Sequence, residues 1–413
     1  MGNDVKILVL TQYFWPEEFR INELSRMLAK RGHQITVLTG IPNYPSGRFF
    51  PGYSFFRNKT ENYEGIKIIR VPLLPRGKGG GIRLALNYLS FAFFASILGP
   101  FKCRDQYDVI FVYQLSPVTV GLPGIVMKKI KSAPILFWIQ DLWPESLSAT
   151  GAVKSKYILK MTEHLVRFIY SHCDRILVQS KSFIDAVTQR GVDRSKIEYF
   201  PNSAETIFDI TPESSGAMEN IKFPEGFCIM FAGNIGAAQD FKTIITAAEL
   251  IKNHADIHWL IVGDGRRFSW VQEQIKLRQL SQNVHLLGRH PLEAMPGFFS
   301  NADVMLVTLR KEPIFALTVP SKIQAYMASA RPIIAALDGE GLLTIEEAGA
   351  GLVCPSENAE MLAETVLKVY HMDHVQREKM AMNGRKYFED NFEPNKLIDK
   401  LECWLTELTE HKE

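Results

Sequence analysis

The sequence predicts an α/β protein built from two Rossmann-like, doubly wound parallel-sheet domains facing a cleft. Three observations carry this. Short apolar runs alternate with helix-length segments along the whole chain, the alternation stops and restarts near residue 200, and a stretch rich in Pro, Ser, Gly and Glu at 211–226 separates the two series. A chain of 413 residues is long enough for two such units, each with its own core.

Residues 5–10 are an apolar run. Phe19, Leu24, Met27 and Leu28 then share a helical stripe within 18–31, Gly32 stops that helix, and a second apolar run follows at 35–38. This is a β-α-β unit. Runs at 66–71, 109–113, 135–139 and 176–178 continue it, and their unbroken apolar character predicts strands buried on both faces of a parallel sheet. The second series lies at 228–232, 257–262, 284–287, 304–307, 333–335 and 352–353. The expected division is a first domain over 1–200, a second over 201–385, and a helical segment over 386–413 that returns toward the first domain. Ligands of such sheets bind beyond the carboxyl ends of the strands.

Lys and Arg number 47 against 45 Asp and Glu, so the net charge of +2 provides no broad field for nucleic acid, and an anion must be caught locally. Cys103, Cys173, Cys228, Cys354 and Cys403 are odd in number and widely spaced. This fits a reducing cytosol and neither a zinc site nor a disulfide framework. The N-terminal residues show no leader pattern, so secretion is not expected. Residues 84–101 are almost continuously apolar, interrupted by Asn87, Ser90 and Ser96 and flanked by Arg76, Lys78, Arg83, Lys102 and Arg104. They read as a crossover helix between the runs at 66–71 and 109–113, as a segment lying in a membrane interface, or as a span at the short end of the usual range.

Three places are equipped for chemistry. At 233–239 the segment Gly-Asn-Ile-Gly-Ala-Ala-Gln follows a strand and precedes a helix. Its small residues leave room for a phosphate at the helix start, although close helix-on-strand packing asks for the same residues. At 319–328, Pro320 and Ser321 begin a helix with Lys322 in its first turn. A cation there opposes the helix dipole unless an anion joins it; the alternative is a solvated lysine beside an ordinary cap. Gln324 and Tyr326 are ribose-binding groups or helix surface. Asp141, within Trp138-Ile-Gln-Asp-Leu-Trp-Pro-Glu145, follows an apolar strand and is an acid/base candidate or a helix-capping aspartate. The sequence lacks Asp-x-Asp, His-Glu-x-x-His and Gly-x4-Gly-Lys-Ser/Thr, which weighs against metal-dependent transfer, zinc hydrolysis and P-loop ATPase chemistry.

The stretches LTQYFWPEEFRINELSRMLAKRGHQITVLTG, WIQDLWPES, FPNSAETIF, FAGNIGAAQ, LIVGDG, VHLLGRHPLEAMPGFFSNADVMLVTL and PSKIQAYMASARPII resemble, in order and spacing, the family-4 glycosyltransferases of the GT-B fold, and within them the WbuB-like O-antigen and capsule enzymes. The resemblance implies a donor site at Gly233, Asn234, Gly236, Gln239, Ser321 and Lys322, with Arg289 at the nucleobase and Gln324 where many relatives carry a ribose-binding Glu. It implies a catalytic Asp141, at or next to a position where relatives carry a His, and acceptor-side residues Glu17, Arg20, Tyr44 and Arg48. The chain departs from the family pattern where the usual diphosphate-neutralising Arg and Lys align with Asn234 and Gln239, where a usual Glu aligns near Ala316, and where Phe19–Arg20 replaces a glycine pair. Phosphate charge then falls on Lys322, Arg310 and backbone amides.

The resemblance further implies a retaining transfer without metal or other cofactor. The sugar, an N-acetylated amino or deoxy sugar, would pass from a UDP-sugar to an undecaprenyl-diphosphate-linked saccharide at the inner membrane surface, with the protein peripheral on the cytoplasmic face. The loop 40–59, with Pro42, Arg48, Phe49, Phe50, Tyr53, Phe55, Phe56 and Arg57, offers aromatic and cationic groups to such an acceptor or forms local core. Two rival readings are a UDP-sugar epimerase of the same fold and a non-catalytic assembly protein with a decayed donor site.

Overall fold

In unit 1 the apolar runs form the centre of an eight-stranded sheet because they are apolar on both faces. The strands are β1 (Lys6–Leu10), β2 (Gln34–Gly40), β3 (Thr60–Tyr63), β4 (Ile66–Val71), β5 (Val109–Gln114), β6 (Ile135–Ile139), β7 (Arg175–Val178) and β8 (Ile197–Tyr199). Every residue of β5 and β6 is buried, as expected for a parallel sheet covered by helices on both sides. The computed structural model describes residues 4–55, 60–77, 80–149, 153, 155–209 and 222–410. Phe56, Arg57, Lys78 and most of the linker expected over 211–226 lie outside the described residues.

The strand order is β3-β4-β2-β1-β5-β6-β7-β8, parallel throughout except for β3 on β4. That antiparallel edge was not anticipated from the apolar pattern, because β3 is the polar tetrapeptide Thr-Glu-Asn-Tyr. Its turn explains it: Glu64 and Gly65 both take positive φ, 50° and 85°, the two-residue geometry of a tight hairpin that pairs Tyr63 with Ile66. The chain reverses its direction of growth between β1 and β5, which makes their carboxyl ends the switch point of this sheet. The helix Arg20–Lys30 buries Ile21, Leu24 and Leu28, and Gly32, with φ of 102°, follows its end.

Unit 1 comprises residues 1–200 together with Ile398–Glu413. The helix Pro394–Glu410 is held there by Arg31 to Asp399 and Glu402 (2.5 and 2.6 Å), His33 to Glu402 (3.0 Å) and Arg175 to Glu407 (2.5 Å), with Trp404 edge-on to Phe200.

Unit 2 covers Pro201–Leu397. Its strands are β9 (Phe227–Ala232), β10 (Ile257–Val262), β11 (Val284–Gly288), β12 (Val304–Thr308), β13 (Ile333–Ala336) and β14 (Gly351–Cys354), in the order β11-β10-β9-β12-β13-β14 and all parallel. One apolar core on each face of this sheet supports it: Met230, Leu260, Met305 and Ile323 share one cluster, while Phe231, Trp259, Leu306 and Val366 share the other. The switch point falls between β9 and β12, so the segments leaving those two strands define where a ligand of this sheet would sit.

Candidate functional site

In unit 2 the segment after β9 and the loop after β12 are sewn together. Arg310 N–H donates to Ala238 O (2.9 Å) and Thr308 Oγ1 donates to Gln239 O (2.5 Å). Gly233 takes a φ of 134°, which an L side chain rarely adopts, and Gly263 approaches so closely that a Cβ there would stand 1.9 Å from Gly233 O. The helix Ser321–Ala328 begins at the same edge, because the crossover leaving β12 emerges at the strands' carboxyl ends. Tyr326 locks this helix to β9, its hydroxyl meeting Ala232 N (3.1 Å) and Ala232 O (3.3 Å).

That lock places Lys322 on the turn. A Cβ built on Gly233 would lie 2.8 Å from Lys322 Cε and 3.0 Å from its Nζ. The ammonium is enclosed, sits 3.4 Å from the Phe231 ring centroid, and has no hydrogen-bond partner. Burial drives its pKa well below the usual lysine value. An enclosed, unpaired cation at a sheet's switch point is an anion-seeking group, since a charge removed from water is costly until a partner joins it.

The remaining donor-side expectations fare unevenly. The turn amides are not all free, as the phosphate-cradle expectation assumed: Gly233 N donates to Val262 O (2.8 Å), Ile235 N to Asp264 O (2.9 Å) and Gly236 N to the side chain of Gln239 (3.2 Å). Gln239 thus closes the turn on itself, and a phosphate would have to displace its Oε1 to reach Gly236 N. Gln324 and Tyr326 are not helix surface. Gln324 is wholly buried, and with its amide oriented to satisfy its neighbours it donates to Pro320 O (2.9 Å) and Ser321 O (3.2 Å). Ser321 and Arg289 are exposed, Arg289 directly after β11, and Asn234 is exposed on the turn. A cavity of about 580 Å³ opens beside Gly236 and Ala237, lined also by Arg267, Trp270 and Arg310. Neither Lys322 nor Arg289 lines it. Arg267 was missed in the sequence, although its guanidinium stacks on Trp270 at 5.6 Å; its place in the loop after β10 was the available signal.

In unit 1, Asp141 follows β6 and is largely enclosed. Ser146 Oγ, from the short helix Glu145–Ala149, donates to its carboxylate, and Gln114 Nε2 at the end of β5 donates to its backbone carbonyl (2.8 Å). Burial raises its pKa to about 6 despite the Ser146 hydrogen bond. Helix tie and titratable group therefore coexist in one residue. Trp138 lies on the strand, its indole donating to Phe200 O (3.1 Å) among Phe111 and Tyr113.

The four acceptor-side residues separate by burial. Glu17 is 2% exposed, and its Oε1 accepts from both Asn43 N and Tyr44 N at 2.7 Å. It is the latch between the loops after β1 and β2, not a group facing a substrate, and burial pushes its carboxyl up to about 7. Tyr44 is 38% exposed, rests on Tyr13 and Phe19, and is covered by Arg76 at 4.9 Å. Arg20 is half-buried at its helix start and Arg48 is exposed. Of the loop aromatics, Tyr53 stacks under Arg70 and bonds Glu61, and Phe55 packs on Phe94, so both are local structure. A polar network missed in the sequence underlies this edge. Asn87, fully buried, accepts from Gln12 Nε2 (2.7 Å) and donates to Leu74 O (2.6 Å), with Asn43 within 3.4 Å. A lone Asn within an apolar helix was its signal. Among the described residues no cluster of His, Cys, Asp or Glu is arranged to hold a metal.

Two family models match the chain nearly end to end: "Glycosyl transferase 4-like domain" over residues 18–203 and "Glycosyl transferases group 1" over 218–387. Among curated relatives, the chain is 28% identical over 240 residues to "Probable glycosyltransferase WbjE" of Pseudomonas aeruginosa, covering 57% of this chain and 59% of that protein. It is 25% identical over 337 residues to "Putative colanic acid biosynthesis glycosyl transferase WcaI" of Escherichia coli, covering 78% and 81%. The match thus spans about three fifths of the first relative's length. Among solved structures, Anabaena HepE in complex with UDP superposes with a TM-score of 0.69 at 15% identity, covering 97% of this chain and all of that one; at that identity the likeness is one of fold.

Proposed function

We propose, from the premise that this chain belongs to the family-4 glycosyltransferases of the GT-B fold, that it moves a sugar from a UDP-sugar to a lipid-diphosphate-linked saccharide during bacterial surface-polysaccharide synthesis. The donor is an N-acetylated amino or deoxy sugar. One observation carries the reading: the unpartnered ammonium of Lys322, enclosed against Gly233 where β9 and β12 diverge. A diphosphate oxygen is the partner that would restore its charge, with Arg310 on the adjoining loop after β12, whose backbone N–H bonds Ala238 of the turn. The related WcaI is described as a colanic acid enzyme and the similar HepE fold as a UDP complex, which supports the donor and pathway class.

In the proposed mechanism the leaving diphosphate is stabilised by Lys322 and the turn's dipoles, and no metal takes part. Asp141 holds or takes the acceptor hydroxyl proton, the anomeric configuration is retained, and the protein works at the cytoplasmic membrane face. Thermal shift against UDP, GDP, ADP and a panel of UDP-sugars tests the donor claim. Stabilisation by UDP compounds is expected, and a flat response to every nucleotide would end this reading. Transfer of label to a polyprenyl-diphosphate saccharide, undiminished by chelator, is the companion expectation.

A further inference from the structure

The helix Gly81–Lys102 crosses over unit 1's sheet with one face down. Asn87, Tyr88, Phe91, Ala92, Ala95 and Gly99 are buried, and the helix packs on β2, β4 and the helix Gly121–Lys131. The opposite face is bare: Ile82, Leu86, Leu89, Phe93, Ile97 and Phe101 are 46–82% exposed. Their spacings of four, three, four, four and four keep all six within one stripe about 30 Å long at 1.5 Å per residue. A stripe of large apolar side chains of this length is not left in water without a use.

The surrounding layer tells what covers it. The helix Gly121–Lys131 packs between this helix and Lys156–Ser171, which bares Tyr157, Ile158, Met161 and Phe168. Together the three helices carry eight Lys or Arg and a single carboxylate, Glu163. Glu163 is already paired with Arg167 (2.8 Å) and Arg190 (3.2 Å). Exposed Arg83, Lys129, Lys156 and Lys160 enter no ion pair among the described residues. We infer that this helix layer lies flat on an anionic lipid bilayer, with the Gly81–Lys102 stripe sunk into the headgroup and acyl boundary and the lysines and Arg83 on lipid phosphates.

Charge and packing decide against the other occupants. A second copy would bring the same cationic layer against this one. Spanning the bilayer would strip the helix from the sheet and take Asn87 out of its hydrogen bonds with Gln12 and Leu74. The inference rests on the reading that the acceptor is lipid-borne, and it adds the surface by which the protein meets that lipid.

Sedimentation of the full chain with vesicles tests it. Phosphatidylglycerol-rich vesicles should capture the protein, pure phosphatidylcholine vesicles should capture far less, and raised salt should weaken the difference. Leu89→Ser with Phe93→Ser should lower capture about tenfold or more, since both apolar area and charge contribute to interfacial binding. Lys129→Glu with Lys160→Glu should remove the preference for anionic lipid. Melting temperature and UDP binding should stay at wild-type values in both variants, and these controls also separate failure here from failure of the donor reading. Equal capture of wild type and variants, or none by anionic vesicles, overturns the inference. So does concentration-dependent self-association abolished by Leu89→Ser with Phe93→Ser, which would assign the face to a second copy. Resistance to alkaline extraction from membranes would show an embedded helix and overturn it as well.

Discussion

Lys322 Nζ stands 3.4 Å above the ring of Phe231 and touches no hydrogen-bond acceptor. The two residues come from elements 91 positions apart in sequence, a strand end and a helix start, brought together because Tyr326 ties that helix to Ala232. The ring face compensates only part of the ammonium's lost hydration, so without ligand the charged form is disfavoured and the lysine's pKa is lowered.

Replacing Lys322 by Met keeps the aliphatic stem and removes the charge. UDP affinity should fall about tenfold or more, in line with roughly 1.5–3 kcal/mol for a hydrogen bond to a charged group. The ligand-free protein should melt no lower than wild type, because an unpaired buried ammonium is removed. Calorimetry of UDP binding and a melting curve read the two effects separately; wild-type affinity would take Lys322 out of the site.

Proton linkage gives a second readout. Burial lowers the Lys322 pKa in the free protein, and a phosphate partner raises it, so UDP binding should take up protons and weaken as pH rises through the free-protein value. For folding the sign is opposite: between that lowered value and the ordinary lysine pKa the unfolded chain binds more protons, so this group makes stability rise with pH. Titration in buffers of different ionisation enthalpy measures the uptake. Its disappearance in Lys322→Met is the expected control.

Asp141→Asn should leave UDP binding intact and reduce transfer by roughly 10²–10⁴-fold, the range for loss of a positioned acid or base. The wild-type rate should climb with pH through about 6, where the carboxyl loses its proton, and the variant should lack that limb. Wild-type turnover in Asp141→Asn would leave the residue with only its hydrogen bond to Ser146.

Glu17→Gln addresses the latch between the first two loops. The wild-type carboxyl titrates near 7 when folded, raised from about 4.5. Between these values the folded state binds more protons, and stability falls as pH rises. The amide keeps an oxygen for Asn43 N and Tyr44 N without the buried charge. It should match wild type at pH 4 and exceed it by about 1–3 kcal/mol at pH 8, as urea unfolding at the two pH values would show.

Most of the fold was legible because a parallel sheet buried on both faces writes itself as uninterrupted apolar runs: β5 and β6 are found within a residue of the runs that predicted them. The edge strand β3 was not, since an exposed edge needs few apolar residues and its hairpin depends on positive φ at Glu64 and Gly65. The candidate site was legible in its residues and not in their state. The small turn at 233–239 and Lys322 could each be named, but not that Gln324 and Tyr326 are buried rather than helix surface, nor that Glu17 latches two loops.

Local pattern therefore determined which segments are strands and helices, where the two sheets begin, and which residue types stand at the strand ends, because periodicity and backbone preference act over a few neighbouring residues. Only the tertiary structure decided that Lys322 is enclosed against Gly233 and Phe231, that Gln239 closes its own turn, and that one face of the helix Gly81–Lys102 is bare. Burial, and with it the charge state of a lysine or carboxyl, is set by groups distant in the chain whose approach no local pattern encodes.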